Sequence, residues 1–171
     1  MIKRLFAASL LALSLCGCGL VQFDVPQEGD SQVQGCSGIT CVLNTFGFSN
    51  FLTMNLSQTQ EWQANAAQKD KISSAKLTSL TLDVTKPAGG DMSFLKTLNF
   101  YISAQNLPKI LVADGSTFPP GVSHIELNMH PEAELAPYVK ADTFSLTTDV
   151  TGSQPAQDET IHAKVIVHIK L

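Results

Sequence analysis

Four histidines are the side chains in this sequence best suited to metal binding or to general acid–base chemistry. His124 and His130 share one face of a predicted strand. His162 and His168 share one face of another. Because six residues of strand span about 20 Å, neither pair can hold one metal ion within itself. A metal site would need two strands side by side, for example His124 beside His168 with Glu126 as a further ligand. Both faces are predicted solvent faces, so the sequence favours solvated surface histidines and predicts no metal site.

The residues needed for hydrolysis are not grouped in a typical motif. A serine or cysteine hydrolase needs a nucleophile on a strained turn beside a histidine and an acid, and the sequence has no G-x-S-x-G pattern. Glu132 and Glu134 lie on a Pro-rich turn, where we predict that they are ordinary solvated carboxylates. Asp91 and Asp114 lie near glycines, but without the D-x-D-x-D-G spacing of a calcium loop. The sequence therefore assigns no catalytic residue and no cofactor.

Cys36 and Cys41 form a closely spaced pair, with the four residues 37–40 between them. In an oxidising compartment such a pair most often forms a disulfide, and Gly38 supplies the tight turn that so small a ring needs. Closing this ring would stabilise the fold by roughly 2 kcal/mol on the chain-entropy account. A redox pair is more usually C-x-x-C, and a metal site needs further thiols or nearby histidines. We therefore predict a structural disulfide between Cys36 and Cys41.

The first 18 residues have the pattern of an export signal. Lys3 and Arg4 precede an apolar run over residues 5–15, which is shorter than the roughly 20 residues that a membrane-spanning helix needs. The run ends in Leu15-Cys16-Gly17-Cys18, which resembles the lipobox of bacterial lipoproteins. The resemblance selects Cys18 over Cys16, because the small Gly17 precedes Cys18 and the bulky Leu15 precedes Cys16. Cys16 departs slightly from the pattern, in which Ala or Ser is usual.

The resemblance to bacterial lipoproteins implies an address in the cell envelope. Residues 1–17 would be removed as a signal peptide, leaving 154 of the 171 residues. Cys18 would carry a diacylglycerol group and an amide-linked acyl chain such as palmitate, which together exceed the single chain that gives only marginal binding. Gly19 follows Cys18, in place of the Asp that resembles an inner-membrane retention signal. The predicted location is the outer membrane.

The charge of the mature chain excludes one class of partner. Loss of Lys3 and Arg4 leaves 9 basic and 15 acidic residues, a net charge of −6. The remaining lysines are scattered, so the chain has no electrostatic footprint for nucleic acid. Attachment to a membrane would therefore depend on the lipid.

The distribution of apolar residues predicts a tether followed by one β domain. Residues 18–43, which include the disulfide loop, are poor in apolar side chains and predicted to be a flexible tether. Residues 44–171 are predicted to form the single domain. Period-2 alternation predicts strands; they cover residues 44–56, 76–85, 97–104, 110–113, 125–129, 144–150 and 161–171. Ser57 and Gln60 form a capping-box pattern that opens a short helix or ordered loop to about Asp70, fixed by Trp62. A helical turn is predicted between Pro131 and Tyr138.

Seven or eight short antiparallel strands with one apolar face predict an all-β, two-sheet β-sandwich, with a β-barrel as the alternative. The leading function hypothesis is a non-enzymatic binding or structural module on a lipid anchor, contacting another envelope protein or a glycan. The alternative is a carrier of an apolar ligand or lipid. A hydrolase whose residues meet only in the fold ranks third.

Overall fold

The computed structural model describes residues 21–36, 59–141 and 144–171. Outside them lie Cys18 and Cys41, the predicted strand over residues 44–56 and the predicted capping residue Ser57. The described elements are, in chain order, β1 Gln22–Val33, α1 Gln60–Asn65, a 3-10 helix Ala66–Lys71, β2 Ser74–Lys86, β3 Leu95–Ala104, β4 Leu107–Gly115, β5 His124–Glu126, β6 Asn128–Met129, α2 Ala136–Lys140, β7 Phe144–Gly152 and β8 Glu159–Lys170.

The strands form two antiparallel four-stranded sheets, with the orders β1-β8-β2-β5 and β6-β4-β3-β7. Alternate side chains of both sheets form one buried core, in which Leu82, Leu98 and Ile161 are fully buried. This confirms the β-sandwich in preference to the barrel. Neither helix nor any other described helical segment has the length and hydropathy to cross a bilayer.

β8 is the strand against which the first sheet is built. Its inward side chains Ile161, Ala163, Val165, Val167 and Ile169 are all buried. It pairs with β1 on one side and with β2 on the other, over almost its whole length. β8 is therefore an inner strand of this sheet.

β1 corrects the prediction of a tether. Gln22–Val33 lies within the predicted tether, yet it is a strand paired with β8 from Gln22 opposite Lys170 to Val33 opposite Glu159. Its odd-numbered positions face the core, and Val25, Ser31 and Val33 are buried there. Pro26 is tolerated because β1 is at the edge of the sheet among the described strands. The sandwich therefore begins no later than Gln22, not at residue 44.

The strand predicted over residues 125–129 passes from one sheet to the other. β5 pairs with β2 in the first sheet, and β6 pairs with β4 in the second. Between them the N–H of Leu127 donates to the carbonyl oxygen of Leu80 over 3.0 Å, and the side chain of Leu127 is buried. This crossing closes one side of the sandwich.

The helical segments lie close to their predicted places. Trp62 on α1 is buried, as predicted, and the N–H of Trp62 donates to the side-chain oxygen of Thr59 over 3.2 Å, so Thr59 caps this helix. The helical turn predicted to begin at Pro131 instead begins at Ala136, with Pro137 in its first turn.

The side chain of Glu134 is 40% exposed, as a solvated carboxylate would be, but it also bonds to the backbone of two elements. Its carboxylate accepts hydrogen bonds from the N–H of Ala75 at 2.7 Å, the N–H of Ala136 at 3.0 Å and the hydroxyl of Ser74 at 2.9 Å. Partial burial acts to raise the pKa of Glu134, but these donors outweigh it and the pKa is lowered. The carboxylate thereby ties α2 to the start of β2.

Candidate functional site

A polar cleft of about 360 Å³ lies at one end of the sandwich, here called the cleft end. It is formed by the β2–β3 loop, residues 87–94, and the β7–β8 loop, residues 153–158, together with the first residue of β8. The β7–β8 loop is held from both sides. The N–H of Ser153 donates to the Phe94 carbonyl oxygen over 2.7 Å, and the N–H of Cys36 donates to the Pro155 carbonyl oxygen over 2.9 Å. The cleft is therefore bordered by fixed backbone.

Glu159 is the most unusual side chain in the cleft. It is 7% exposed and is one of the two buried polar or charged residues among those described, Ser31 being the other. Its Oε2 atom has no hydrogen-bond partner among the described residues. Burial, followed by the negative charge of Asp91, raises the pKa of Glu159 from 4.5 to about 7. A buried carboxyl with a raised pKa in a cleft is a typical mark of a functional site.

The second carboxyl of the cleft, Asp91, is held in the opposite state. Its Oδ1 accepts the N–H of Ser93 at 2.9 Å, and its Oδ2 accepts the N–H of Gly121 at 2.6 Å. The Ser93 hydroxyl, the Gly121 N–H and the Ser93 N–H, in decreasing order, lower the pKa of Asp91. Asp91 is therefore ionised at pH values at which Glu159 still titrates. Two carboxyls with pKa values moved in opposite directions can take different roles towards one ligand.

The described lining of the cleft consists of carboxyl, neutral polar and apolar side chains. Its lining has two carboxyls and the polar neutral side chains of Ser93, Gln154 and Gln157, and no lysine, arginine, histidine or cysteine is among the described lining residues. Both oxygens of Asp91 already accept backbone N–H groups. Of the two carboxyls, Glu159 is the one with an oxygen, Oε2, that has no hydrogen-bond partner among the described residues.

Three of the four histidines lie on the outer face of the first sheet, each beside a carboxylate on a neighbouring strand. The distances from Nδ1 to the carboxylate oxygen are 2.6 Å for His124 and Asp83, 2.7 Å for His162 and Asp30, and 2.7 Å for His168 and Asp24; all are surface contacts.

The cross-strand pair suggested for a metal site, His124 beside His168, is not formed. Asp83 of β2 lies opposite both His124 and His162, whereas His168 lies opposite Lys76 on β2 and Asp24 on β1. Within residues 21–36, 59–141 and 144–171 no three histidine, cysteine or carboxylate side chains are grouped to hold a metal ion.

His130 lies on the second sheet, between two carboxylates. Its Nδ1 is 2.8 Å from Oε1 of Glu132, and its Nε2 is 2.8 Å from Oδ1 of Asp114. These two hydrogen bonds, that of Glu132 being the stronger cause, raise the pKa of His130. The cluster ties β4 to the segment after β6, and it does not line the cleft.

We expect the exchange His130→Gln to lower the free energy of unfolding by about 1 kcal/mol at pH 6, as for a partly exposed ion pair. The pKa of His130 is raised in the folded protein, so its contribution is complete below 6.5 and is lost as the pH rises through the raised pKa. The loss should therefore shrink at pH 9. Urea unfolding at both pH values measures it. His124→Gln, at an exposed site with one carboxylate, should cost less, and an equal cost of His130→Gln at pH 6 and pH 9 would contradict the assignment.

A second cavity lies inside the sandwich, between the two sheets. It has a volume of about 40 Å³ and is lined by apolar side chains such as Phe100, Leu146 and Val165, with Gln27 as its polar member. Ligand pockets usually have several hundred Å³. This space has the size of a packing defect in a core and is too small for an acyl chain.

Three cysteines have roles predicted from sequence, the lipid site at Cys18 and the disulfide between Cys36 and Cys41. Cys18 and Cys41 lie outside the described residues. Cys36 follows β1, where the neighbouring N–H of Gly35 donates to Oδ1 of Asp158 over 2.8 Å. The lipid at Cys18 and the Cys36–Cys41 disulfide stay predictions.

Comparison of the chain with protein-family models, with curated proteins and with solved structures gives no match. The cleft and the N-terminal motif are therefore the two features of the chain that point to a function.

Proposed function

We propose that the protein is a lipoprotein of the bacterial outer membrane, anchored through Cys18, whose β-sandwich is a non-enzymatic binding module. The lipobox supports the anchor. The polar cleft lies at the end of the sandwich opposite Val21 and Leu171, and this is the observation that supports the binding function.

The anchor would join the sandwich with almost no spacer. The N–H of Leu171 donates to the carbonyl oxygen of Val21 over 2.9 Å, so the chain is bonded to the body from Val21 onward. Only Gly19 and Leu20 separate Cys18 from Val21, and three Cα–Cα steps reach at most about 11 Å. The end of the sandwich that contains Val21 and Leu171, here called the terminal end, would therefore lie against the bilayer.

The cleft would face away from the membrane. Gln22 begins β1 at the terminal end, and Glu159 lies opposite Val33, the last residue of β1. Twelve residues of strand cover about 36 Å. A ligand would reach Glu159 from the surrounding compartment, as expected for a module that contacts a glycan, another envelope protein or a small solute.

The disulfide belongs to the same proposal. Cys36 is placed beside the β7–β8 loop by its hydrogen bond to Pro155. A bond from Cys36 to Cys41 would fix the chain where it leaves the cleft end, and an exported protein meets the oxidising conditions that such a bond needs.

We expect Cys18→Ala to abolish metabolic labelling with palmitate and to move the protein from the membrane fraction to the soluble fraction. If the lipobox is functional, the thiol of Cys18 accepts the lipid. The acidic domain has no electrostatic attraction to anionic lipid that could replace it. Cell fractionation with membrane separation measures the shift. Cys16→Ala is the matched control and should still be labelled; labelling that is lost with Cys16→Ala and kept with Cys18→Ala would refute the choice of cysteine.

The second candidate, a carrier of an apolar ligand, is favoured by one observation, the almost wholly apolar lining of the cavity between the sheets. Its volume of about 40 Å³ argues for the polar cleft instead. Native mass spectrometry of the purified protein tests this candidate: a co-purified lipid mass supports the carrier, and an apo mass counts against it.

A further inference from the structure

We propose that the cleft binds a small organic cation through a primary ammonium group, with the carboxylate of Glu159 as its counter-ion. The inference deepens the proposed binding function and depends on the cleft, not on the lipid anchor. Glu159 lines the cleft and is only 7% exposed. Its Oε2 has no hydrogen-bond partner among the described residues.

The charge balance of the cleft selects a cation. Asp91 and Glu159 are both acidic, and no lysine, arginine or histidine is among the described residues that line the cleft. An anionic ligand would be repelled by both carboxylates. A neutral ligand would leave the ionised form of Glu159 buried without a counter-charge, which is costly. A cation removes that cost.

The hydrogen-bonding groups select an ammonium over a metal ion. A metal ion needs several oxygen ligands, and among the described residues no three histidine, cysteine or carboxylate side chains are grouped to hold one. A primary ammonium has three donors and needs one carboxylate and two neutral acceptors. The amide oxygens of Gln154 and Gln157 and the hydroxyl of Ser93 line the same space.

The volume of the cleft limits the ligand's size. About 360 Å³ is near the lower end of small-molecule sites, which suits a diamine or an amino acid side chain. A free diamine and a lysine side chain present the same ammonium group, and the experiment has one arm for each.

The pH dependence of binding follows from the ionisable groups around Glu159. Asp91 faces it from the β2–β3 loop and stays ionised, and the next carboxylate, Asp158, accepts the N–H of Gly35. The β7–β8 loop adds no ionisable side chain among residues 153–157. With a pKa of about 7, Glu159 is mostly ionised at pH 8 and mostly neutral at pH 6. Binding of an ammonium should therefore be about tenfold tighter at pH 8.

Isothermal titration calorimetry of the full-length protein in detergent micelles tests the inference, with 1,4-diaminobutane in one arm and Nα-acetyl-lysine amide in the other. We expect at least one of them to bind at pH 8 and to bind about tenfold more weakly at pH 6. Glu159→Gln should weaken binding at least tenfold at pH 8. Glu126→Gln, the same exchange at an exposed position of β5, should leave it unchanged.

Three results would overturn the inference. One is the absence of binding by both amines to the wild-type protein. Another is binding that Glu159→Gln leaves intact. The third is a preference of the same cleft, lost in Glu159→Gln, for Ca²⁺ or for N-acetylglucosamine over both amines. A melting curve of each variant establishes that it is folded. Membrane attachment of the Cys18→Ala protein is measured separately. A negative result with the amines therefore does not contradict the anchor, and a negative result for the anchor does not contradict the amine site.

Discussion

Replacing Val25 by aspartate is expected to lower the free energy of unfolding by about 3 kcal/mol or more, which is enough to unfold many domains of this size. Val25 is 0% exposed and lies on the inward face of β1, opposite Val167 of β8. An aspartate there either buries a charge without a partner or pulls β1 away from β8. Urea unfolding followed by circular dichroism measures the loss.

The matched control for Val25→Asp is Gln32→Asp on the same strand. Gln32 faces outward and is exposed, so the same new charge should change the free energy of unfolding by no more than about 0.5 kcal/mol. If Val25→Asp were as stable as the wild-type protein, β1 would not belong to the core. The predicted tether would then be correct after all, and the argument that places the terminal end against the membrane would fail with it.

The failure to predict β1 from sequence has a physical cause. Its inward positions include Gln27, Gly29 and Ser31, so the alternation that reveals a strand is interrupted at three of six places. The strand is held by its backbone pairing with β8, and backbone hydrogen bonds leave no mark on composition. A long, strongly alternating strand such as β8 needs a neighbour on each side. The sequence shows that need but not which segment meets it.

The parts of the fold that were predicted are those in which one face is apolar without interruption. The alternation around Leu80 and Leu82 on β2, around Leu98 and Phe100 on β3, and along β8 all proved to be strands. The passage from β5 to β6 at Leu127 was not predictable in the same way, because a continuous alternation is compatible with either sheet.

The cleft was not predicted from sequence, because residue type alone points to the histidines as the candidate site. The histidines are paired with carboxylates on the surface, whereas the cleft is marked by burial. One signal was present in the sequence. Extending the alternation of β8 back from Ile161 by two residues places Glu159 on the inward face, where a carboxyl is out of place. The proximity of Asp91 comes from a loop of another strand, and no sequence pattern contains it.

Glu159→Gln is expected to stabilise the protein at pH 8 by up to about 3 kcal/mol and to have a much smaller effect, below about 1 kcal/mol, at pH 5. The pKa of Glu159 is raised from 4.5 to about 7 in the folded protein, and each pKa unit corresponds to 1.36 kcal/mol, so the upper limit is about 3 kcal/mol. Below pH 4.5 the carboxyl is neutral in both states and has no cost. Between pH 4.5 and 7 the unfolded chain ionises while the folded protein retains its proton, so the wild-type protein loses stability as the pH rises, and the loss is complete above pH 7. Glutamine has the same shape without the charge, and it escapes that loss.

Urea unfolding of the wild-type and Glu159→Gln proteins between pH 5 and pH 8.5 measures the difference, with Glu126→Gln as the exposed counterpart that should show no pH-dependent gain. The sign is decisive. A variant less stable than the wild-type protein at pH 8 would mean that the ionised carboxylate already has a partner within the chain, and the cleft would then have no need of a cation. A variant more stable at pH 8 means that the natural protein keeps, at the most buried of its described carboxyls, a charge that weakens its fold. Such a cost is what a binding site retains when the missing counter-charge arrives with the ligand. Glu159→Gln is therefore expected to raise the free energy of unfolding at pH 8 and, in the binding experiment, to weaken the binding of the amine.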